Sequence, residues 1–358
     1  MQLSLMLFAG ALAPTAGQQY EIALQLAEFA DREGLAGIWF PERHFTSFGG
    51  PYPNPMLILA AVASRTRRLT LRSGSLVAPL HDPIRLAEEL AMLDQLSGGR
   101  IETAFASGWH PNDYAFHPER YEQRRELMFE SIDALCRLWR GDAHAARSGL
   151  GEPIQLRTHP RPVQSRLQVW IAAAQNPETF RRAGERGEHV LTHVLDGNLK
   201  LLADNIALYR RQRAAAGHDP EAGRVALMLH TFLGDDEAQV AATVRGPYGD
   251  YLKSIVPMAQ GLATARARAV DLKKLNARQI TQFVDCHYDR AVRGLSLIGT
   301  PAAARATLDA MRGLGVDEVA CLVDFGVAGR HVLAQLPHIA ALQASLRVHD
   351  QRLLEPSP

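Results

Sequence analysis

The sequence predicts an α/β fold, a closed (β/α)8 TIM barrel with a long insertion after its seventh strand. Short apolar runs alternate with helical patterns along the chain. Such runs are typical of parallel strands, because helices cover both faces of the sheet. Eight of them favour a closed barrel over an open sheet. The predicted strands are 3–8, 37–40, 69–77, 101–106, 167–173, 189–194, 225–233 and 318–325.

Helix boundary signals separate these strands. Asn54 and Asp82 each precede a proline, which is typical of a helix cap followed by proline at the first helical position. Gly34 follows one helical pattern directly and is predicted to end that helix. Other predicted helices are 119–139, 198–216, 301–312 and 330–346. These signals support a repeating strand–helix unit.

Two segments interrupt the repeat. Residues 141–166 are rich in Gly, Pro and Arg and are predicted to form a surface excursion. Residues 247–293 separate the seventh strand from its helix, and insertions of this length often act as lids or binding loops. We therefore expect one barrel domain over 1–358, with an insertion or lid at about 247–293.

The composition excludes several classes of protein. The chain has 358 residues, 47% of them hydrophobic, and a formal net charge of +1, which are ordinary values for a globular protein. The sequence has no long basic block, so it does not indicate binding to nucleic acid or to an acidic membrane. No apolar run reaches the ~20 residues of a membrane span. Three scattered cysteines indicate neither a disulfide framework nor a metal site, which suits a reducing cytoplasm.

A polar loop follows the second predicted strand, at the end of the barrel where chemistry is usually located. It contains Glu42, Arg43 and His44. Because an imidazole in general can exchange protons near neutral pH, His44 either transfers protons or is a structural residue bonded to a loop carbonyl. Arg43 stays charged, and it either stabilises an anion or pairs with Glu42, which is the simpler interpretation.

Three more candidate positions lie at strand ends. The Ser-Gly-Trp sequence at 107–109 combines a glycine that lets the backbone approach a ligand with a flat aromatic face. The segment 174–179 opens a helix, whose N-terminus suits a phosphate, although an ordinary N-cap by Asn176 is the simpler interpretation. His230, near the end of the seventh strand, faces either the pocket or the helices.

In this order, the motifs resemble those of the bacterial luciferase-like flavin monooxygenases, and the resemblance covers nearly the whole chain. The segments that carry it are 40–45, 74–79, 81–88, 93–100, 106–109 and 298–301. Segments 49–55 and 108–113 also resemble the mupirocin-type branch, which accompanies polyketide and non-ribosomal peptide assembly lines. The family fold is a barrel with a long insertion after the seventh strand.

The resemblance implies a cofactor and partners. Family members bind FMN or the deazaflavin F420 at the carboxyl end of the barrel. In the FMN monooxygenases a separate flavin reductase supplies reduced FMN, which reacts with O2 to give a C4a-peroxide that oxidises the substrate. A homodimer is also implied, and we expect its interface on the helices at 56–64 and 84–96.

The resemblance also assigns roles to individual residues. Those expected to line the flavin are Gly74, Ser75, Ser107, Gly108 and Trp109. Those expected to hold its phosphate are Ala174, Gln175, Asn176 and Thr179, assisted by Arg125 or Arg124. The peptide bond between Gly74 and Ser75 is often cis in the family.

The resemblance departs from luciferase itself at the polar loop. Arg43 occupies the place of the catalytic histidine of luciferase, so we do not expect light emission. His44 remains the candidate for proton transfer, and Arg43 is expected to stabilise the peroxide or the reduced flavin. His230 is a weaker candidate on the substrate side.

The resulting hypothesis is an FMN-dependent, two-component monooxygenase. It would hydroxylate a natural-product intermediate or insert oxygen into it, with the substrate either free or bound to a carrier protein. One alternative is an F420-dependent hydride-transfer oxidoreductase on the same barrel. A second is a non-catalytic flavin-binding protein.

Overall fold

The computed structural model describes residues 1–8, 10, 12–46, 50–194, 197–263, 277–292 and 294–354. Its strands are β1 (Gln2–Met6), β2 (Gly37–Phe40), β3 (Thr70–Val77), β4 (Ile101–Ala106), β5 (His144–Arg147), β6 (Pro153–Leu156), β7 (Gln168–Ala173), β8 (His189–His193), β9 (Val225–Leu233), β10 (Leu297–Gly299) and β11 (Glu318–Leu322). Eight of these strands pair in parallel as β1-β2-β3-β4-β7-β8-β9-β11, and β11 pairs with β1 to close a barrel. The predicted fold class is confirmed.

Helices surround the barrel. They are α1 (Ala16–Glu33), α2 (Pro55–Arg65), α3 (Pro83–Ser97), α4 (Arg124–Arg140), α5 (Pro177–Glu185), α6 (Leu199–Ala215), α7 (Glu237–Ala263), α8 (Ala277–Val292), α9 (Pro301–Gly313) and α10 (Gly329–Leu354). Asn54 and Asp82 cap α2 and α3 as predicted, and Gly34 ends α1 in the left-handed conformation. Within the described residues, no helix is both long and apolar enough to cross a membrane.

Several details differ from the sequence predictions. The region 141–166 contains the antiparallel hairpin β5–β6, and the three-residue strand β10 extends the sheet beside β9. The helix α7 begins at residue 237 and continues into the region where the lid is predicted. The middle of the predicted lid, residues 264–276, and its last residue, 293, lie outside the described residues. The helix predicted at 119–139 begins later, as α4 at residue 124, because a short 3-10 turn that starts at Pro118 occupies residues 118–120.

A charged cluster fills the amino-terminal half of the barrel. The Arg72 guanidinium donates to Glu102 at 2.8 Å and to Glu318 at 2.6 Å. The same guanidinium stacks on Trp39 and Trp170. Burial alone would raise the pKa of Glu102, but the adjacent arginines Arg72 and Arg224 lower it to about 2. This cluster is paired internally, which is the usual condition for burying charges, and it leaves the opposite end of the barrel for a ligand.

Candidate active site

Alternation along the strands decides which side chains enter the barrel. Trp39 pairs in register with Arg72, and Trp170 pairs with His189, and all four side chains lie in the charged cluster around Arg72 inside the barrel. Because side chains alternate along a strand, every second residue after these positions also faces inward. On three adjacent strands these inward positions near the carboxyl end carry only Gly or Ala. We call this set the small-residue wall. It consists of Gly74 on β3, Ala104 and Ala106 on β4, and Ala172 and Ala174 on and after β7.

The small-residue wall contributes little side-chain volume to one side of the barrel mouth. A Cβ added to Gly74 would come within 3.0 Å of Trp39, so the backbone of β3 lies directly against the core. Beside it, the Gly74–Ser75 peptide bond is cis, and the register of β3 with β4 shifts at this point. Small side chains at these positions are compatible with a flat ligand, such as the ring system of a flavin, that lies above them.

Glu42 is the centre of a hydrogen-bonded network beside the small-residue wall, since it follows β2, the neighbour of β3. It is 2% exposed. Its Oε1 accepts from His44 Nε2 at 3.0 Å and from His81 Nε2 at 2.8 Å, while its Oε2 accepts from the Val77 N–H at 2.6 Å. Burial alone would raise the pKa of Glu42, but the two histidines and the Val77 amide lower it below its ordinary value. The carboxylate is therefore ionised, and both of its oxygens accept hydrogen bonds.

This network answers the question left open for Arg43. The simpler interpretation, an ion pair with Glu42, is wrong, because that carboxylate is taken by His44 and His81. The Arg43 guanidinium donates only to the Glu42 backbone carbonyl, at 3.4 Å, and lies 4.3 Å from the ring centre of Phe8. The structural interpretation of His44 is also corrected, since its partner is a carboxylate and not a loop carbonyl.

His44 lies beside two exposed aromatic rings. The Phe116 ring centre is 5.0 Å from that of His44, and the Phe45 ring centre is 5.2 Å from that of Phe116. Phe45 is 66% exposed and has φ of 53°, a conformation that is unusual for a bulky residue and often marks a functional site. An apolar rim therefore borders the imidazole that is the candidate for proton transfer.

The Ser-Gly-Trp loop after β4 lies next to this network. Gly108 has φ of 68°, and an added Cβ would come within 2.8 Å of Val77 and 3.1 Å of Tyr114, so only glycine fits. The Tyr114 hydroxyl donates to the Ser107 carbonyl at 2.6 Å, which fixes the loop. Trp109 is half-buried against His110. These three predicted flavin-lining residues lie at the same end of the barrel as Gly74 and Ser75.

The predicted phosphate segment forms the start of α5. Asn176 accepts from the Glu178 N–H at 3.1 Å and so caps the helix, which is the ordinary interpretation of this residue. Gln175 and Ala174 use their carbonyl oxygens to accept from Asn205 and Thr192. These bonds leave the Gln175 side chain and the Thr179 hydroxyl as groups that could bind a phosphate.

The position of Arg125 follows from the packing of α4 against α5. The Arg182 guanidinium lies 3.6 Å from the ring centre of Phe129, and both helices start at the carboxyl end of the barrel. One turn earlier, Arg125 on α4 is level with the first turn of α5. It is exposed there. Arg124 instead covers the Tyr121 ring at 4.1 Å and donates to its carbonyl, so Arg125 is the better candidate for binding the phosphate.

His230 faces the barrel interior, which decides between its two predicted orientations. Its ring lies 5.1 Å from Tyr248 and Tyr251 on α7 and 5.4 Å from Phe325 after β11. Its Nε2 is buried and has no hydrogen-bond partner. The insertion is thus packed onto the mouth of the barrel at His230.

A cavity of about 420 Å³ lies farther out, at the same end of the barrel. Its lining residues include Leu199 at the start of α6 and Cys286 and Arg290 on α8. None of the predicted catalytic residues lines it. We therefore place the candidate active site at the mouth of the barrel, not in this cavity. Among the described residues, no group of His, Cys, Asp and Glu has the arrangement of a metal site.

Several residues of this site were not identified from the sequence. His81 was assigned only to a motif, and its role depends on Glu42, which is 39 residues away. His193 ends β8 just as His230 lies near the end of β9, so a histidine at a strand end was a usable signal. Tyr248 and Tyr251 lie in the insertion, whose position over the barrel the sequence did not indicate.

Comparison with known proteins gives a consistent result. The family model described as "Luciferase-like monooxygenase" matches residues 1–318. The oxygenase component of the flavin-dependent trigonelline monooxygenase of Acinetobacter baylyi is 28% identical, over 90% of this chain and 88% of its own. The 4-hydroxyprotoasukamycin monooxygenase of Streptomyces nodosus subsp. asukaensis is 31% identical, over 58% of each chain. The crystal structure of the monooxygenase RslO1 from Streptomyces bottropensis superimposes with a TM-score of 0.76 at 26% identity, covering 95% of this chain and 98% of that one.

Proposed function

The chain belongs to the luciferase-like monooxygenase family, and we propose that it is the FMN-dependent oxygenase component of a two-component monooxygenase. The observation that carries this proposal is the composition of the barrel mouth. The small-residue wall presents only small side chains on which a flat ring can lie, and the titratable network of Glu42, His44 and His81 lies directly beside it. The flavin would contact Gly74, Ser75 and the Ser-Gly-Trp loop, with its phosphate near Thr179 and Arg125.

The flavin supplies the oxygen chemistry when it is bound and reduced, and the protein supplies position and protons. His44 is the proposed proton-transfer residue. Its Nε2–H must donate to Glu42, because a carboxylate only accepts, so neutral His44 has its lone pair on Nδ1. No described residue bonds to that Nδ1, which can take a proton from the substrate or return one.

The insertion is proposed to keep water out during turnover. Tyr248 and Tyr251 on α7 are 5% and 7% exposed, and they cover the mouth of the barrel beside His230. A closed site would keep bulk water away from the flavin, so that its oxygen chemistry is directed to the substrate. We therefore retain the proposal of one barrel domain with a lid at about 247–293.

A reductase and a second copy of the chain are the proposed partners. The name of the trigonelline relative, an oxygenase component, supports a separate flavin reductase. Leu57 on α2 and Met92 and Leu96 on α3 are 72%, 57% and 57% exposed, and these apolar side chains support a homodimer interface there. The proposed substrate is a natural-product intermediate, free or bound to a carrier protein, that is hydroxylated or receives an inserted oxygen.

The test is anaerobic titration of the purified protein with reduced FMN, followed by mixing with oxygenated buffer and measurement of oxygen uptake. We expect tight binding of reduced FMN and delayed flavin reoxidation compared with free flavin. Binding of F420 without affinity for reduced FMN would establish the hydride-transfer alternative. Binding of FMN with reoxidation as fast as that of free flavin would favour the non-catalytic alternative.

A variant test addresses His44 directly. His44→Gln is expected to bind reduced FMN normally but to lose substrate oxygenation about 100-fold, the contribution of a positioned acid–base group. The control is His117→Gln, because His117 lies at the same end of the barrel but pairs only with exposed Glu119. Full activity in His44→Gln would remove His44 from the mechanism.

A further inference from the structure

Three nitrogen-bearing side chains enter the barrel mouth from strands on either side of the small-residue wall. His193 and His230 lie on adjacent strands, since His193 pairs in register with Met228, and both occupy inward positions. Arg43 follows β2 across the barrel. Tyr251 connects the two sides, because it contacts the His230 ring and lies within electrostatic range of Arg43. We call Arg43, His193 and His230 the three-nitrogen cluster.

The cluster has hydrogen-bonding capacity that the protein does not use. Arg43 Nε and His230 Nε2 are both buried, and neither has a hydrogen-bond partner among the residues that the structure describes. Buried polar atoms are nearly always satisfied in folded proteins, so such orphans require an explanation. An acceptor that is supplied by a ligand would satisfy both.

Arg43 makes no direct ion pair in the part of the chain that the structure describes, and the Glu42 carboxylate is occupied by three other donors. Burial lowers the pKa of Arg43, while the nearby charges of Asp113, Glu42 and Asp324 oppose that shift, and a guanidinium remains charged in proteins. Its Nε can therefore donate a charge-assisted hydrogen bond to an acceptor on a ligand.

The histidines determine how much charge the anion carries. Burial lowers the pKa of His230 to about 3, with a contribution from His193. Burial and the charge of Arg43 lower the pKa of His193 to about 4. Both imidazoles are therefore neutral at physiological pH and donate hydrogen bonds without adding charge. Arg43 supplies the one positive charge of the cluster, and the nearby carboxylates of Asp113, Glu42 and Asp324 disfavour a second negative charge on the ligand, so a monoanion suits the site better than a phosphate dianion.

The surroundings of the cluster indicate what the anion is attached to. Phe8 lies under the guanidinium, and Tyr248, Tyr251 and Phe325 enclose His230. Aromatic walls of this kind favour a flat apolar scaffold. The small-residue wall, where the flavin is proposed to lie, is between Arg43 and the two histidines in the strand order, so the two ligands would be in contact at the mouth.

We propose that Arg43, His193 and His230 bind the acidic oxygen of an aromatic substrate, a carboxylate or phenolate, and hold its ring against the flavin. The orientation of the ring against the flavin rests on the proposed function, but binding of the anion is tested without turnover. The competing source of an anion is the reduced flavin. The cluster would then serve the cofactor, as the family resemblance implied for Arg43.

The experiment measures binding of benzoate and of uncharged benzamide to the flavin-free full-length protein by isothermal titration calorimetry. We expect benzoate to bind at least 10-fold more tightly than benzamide. Arg43→Gln should weaken benzoate binding by about 10-fold to 100-fold, as for a hydrogen bond to a charged group, and should leave benzamide unchanged. His230→Gln should produce a smaller loss. Arg85→Gln is the control, because Arg85 is a 72% exposed arginine on α3.

Two outcomes would overturn the proposal. The first is equal binding of benzoate and benzamide, or no benzoate binding, by wild-type protein. The second is that Arg43→Gln weakens reduced FMN instead of benzoate, which would assign the cluster to the cofactor. Circular dichroism establishes that each variant is folded, and Arg43→Lys, which keeps the charge, replaces Arg43→Gln if the latter does not fold. Oxygen uptake with FMN is measured separately, so a failure of the proposed function is distinguishable from a failure of this subsite.

Discussion

Replacement of Glu42 by Gln tests the network around His44. The carboxylate accepts three hydrogen bonds, from His44, His81 and the Val77 amide, at 3.0, 2.8 and 2.6 Å. Glutamine has the same shape but presents a donor in place of one of the two oxygens. Either the Val77 N–H or both imidazoles must then face an N–H group in a site that is 2% exposed.

The size of the effect follows from what each partner can do afterwards. A hydrogen bond to a charged group contributes about 1.5–3 kcal/mol. The side chains of His44 and His81 are 11% and 23% exposed and can recover part of this by bonding to water, but the Val77 amide cannot. We expect Glu42→Gln to lower the free energy of unfolding by about 2–4 kcal/mol. We also expect kcat to fall about 10-fold to 100-fold, since His44 loses its orientation.

The pH dependence gives a sharper test. Burial alone would lower the pKa of His81, but the hydrogen bond to Glu42 raises it above 6.5. The stability from protonated His81 is thus complete below pH 6.5 and is lost as the pH rises through its raised pKa. Glu42, whose pKa is lowered, contributes stability above pH 4.5 that is lost as the pH falls through its pKa in the folded protein. The difference between wild type and Glu42→Gln should therefore shrink at alkaline pH.

The measurement is urea unfolding, followed by tryptophan fluorescence at several pH values. Glu119→Gln is the matched control, because Glu119 is a glutamate at the same end of the barrel and is 68% exposed. Equal stability losses in the two variants would refute the reasoning. So would a loss in Glu42→Gln that does not change between acidic and alkaline pH.

Three other substitutions test separate parts of the structure. Arg72→Met removes the guanidinium that pairs with Glu318, so the free energy of unfolding, measured in urea, should fall by about 3–5 kcal/mol while FMN affinity is unchanged. An unchanged midpoint of urea unfolding would contradict the pairing. Gly108→Ala places a Cβ within 2.8 Å of Val77, so the melting temperature and FMN affinity, measured by fluorescence quenching, should both fall. Leu57→Glu should convert a dimer to a monomer in light scattering, and a wild-type monomer would refute that interface.

The barrel itself was determined largely by the sequence. Strands buried on both faces must be apolar, so β1 to β4 and the later barrel strands were recognisable as short apolar runs. The helix starts at Asn54 and Asp82 were equally predictable, since capping depends on neighbouring residues. The strand β10 was missed because three residues carry too little pattern to be distinguished from a loop.

The carboxyl end of the barrel as the place of chemistry was also predictable, because it follows from the fold class. The partners of its residues were not. Sequence proximity favoured pairing Glu42 with its neighbour Arg43, but the fold brought His81 to that carboxylate and left Arg43 without a direct ion pair among the described residues. Likewise, only the register of β8 with β9 shows that His193 and His230 enter the same space. Local patterns determine which residues form a strand, whereas contacts between residues on different strands depend on how the whole sheet closes.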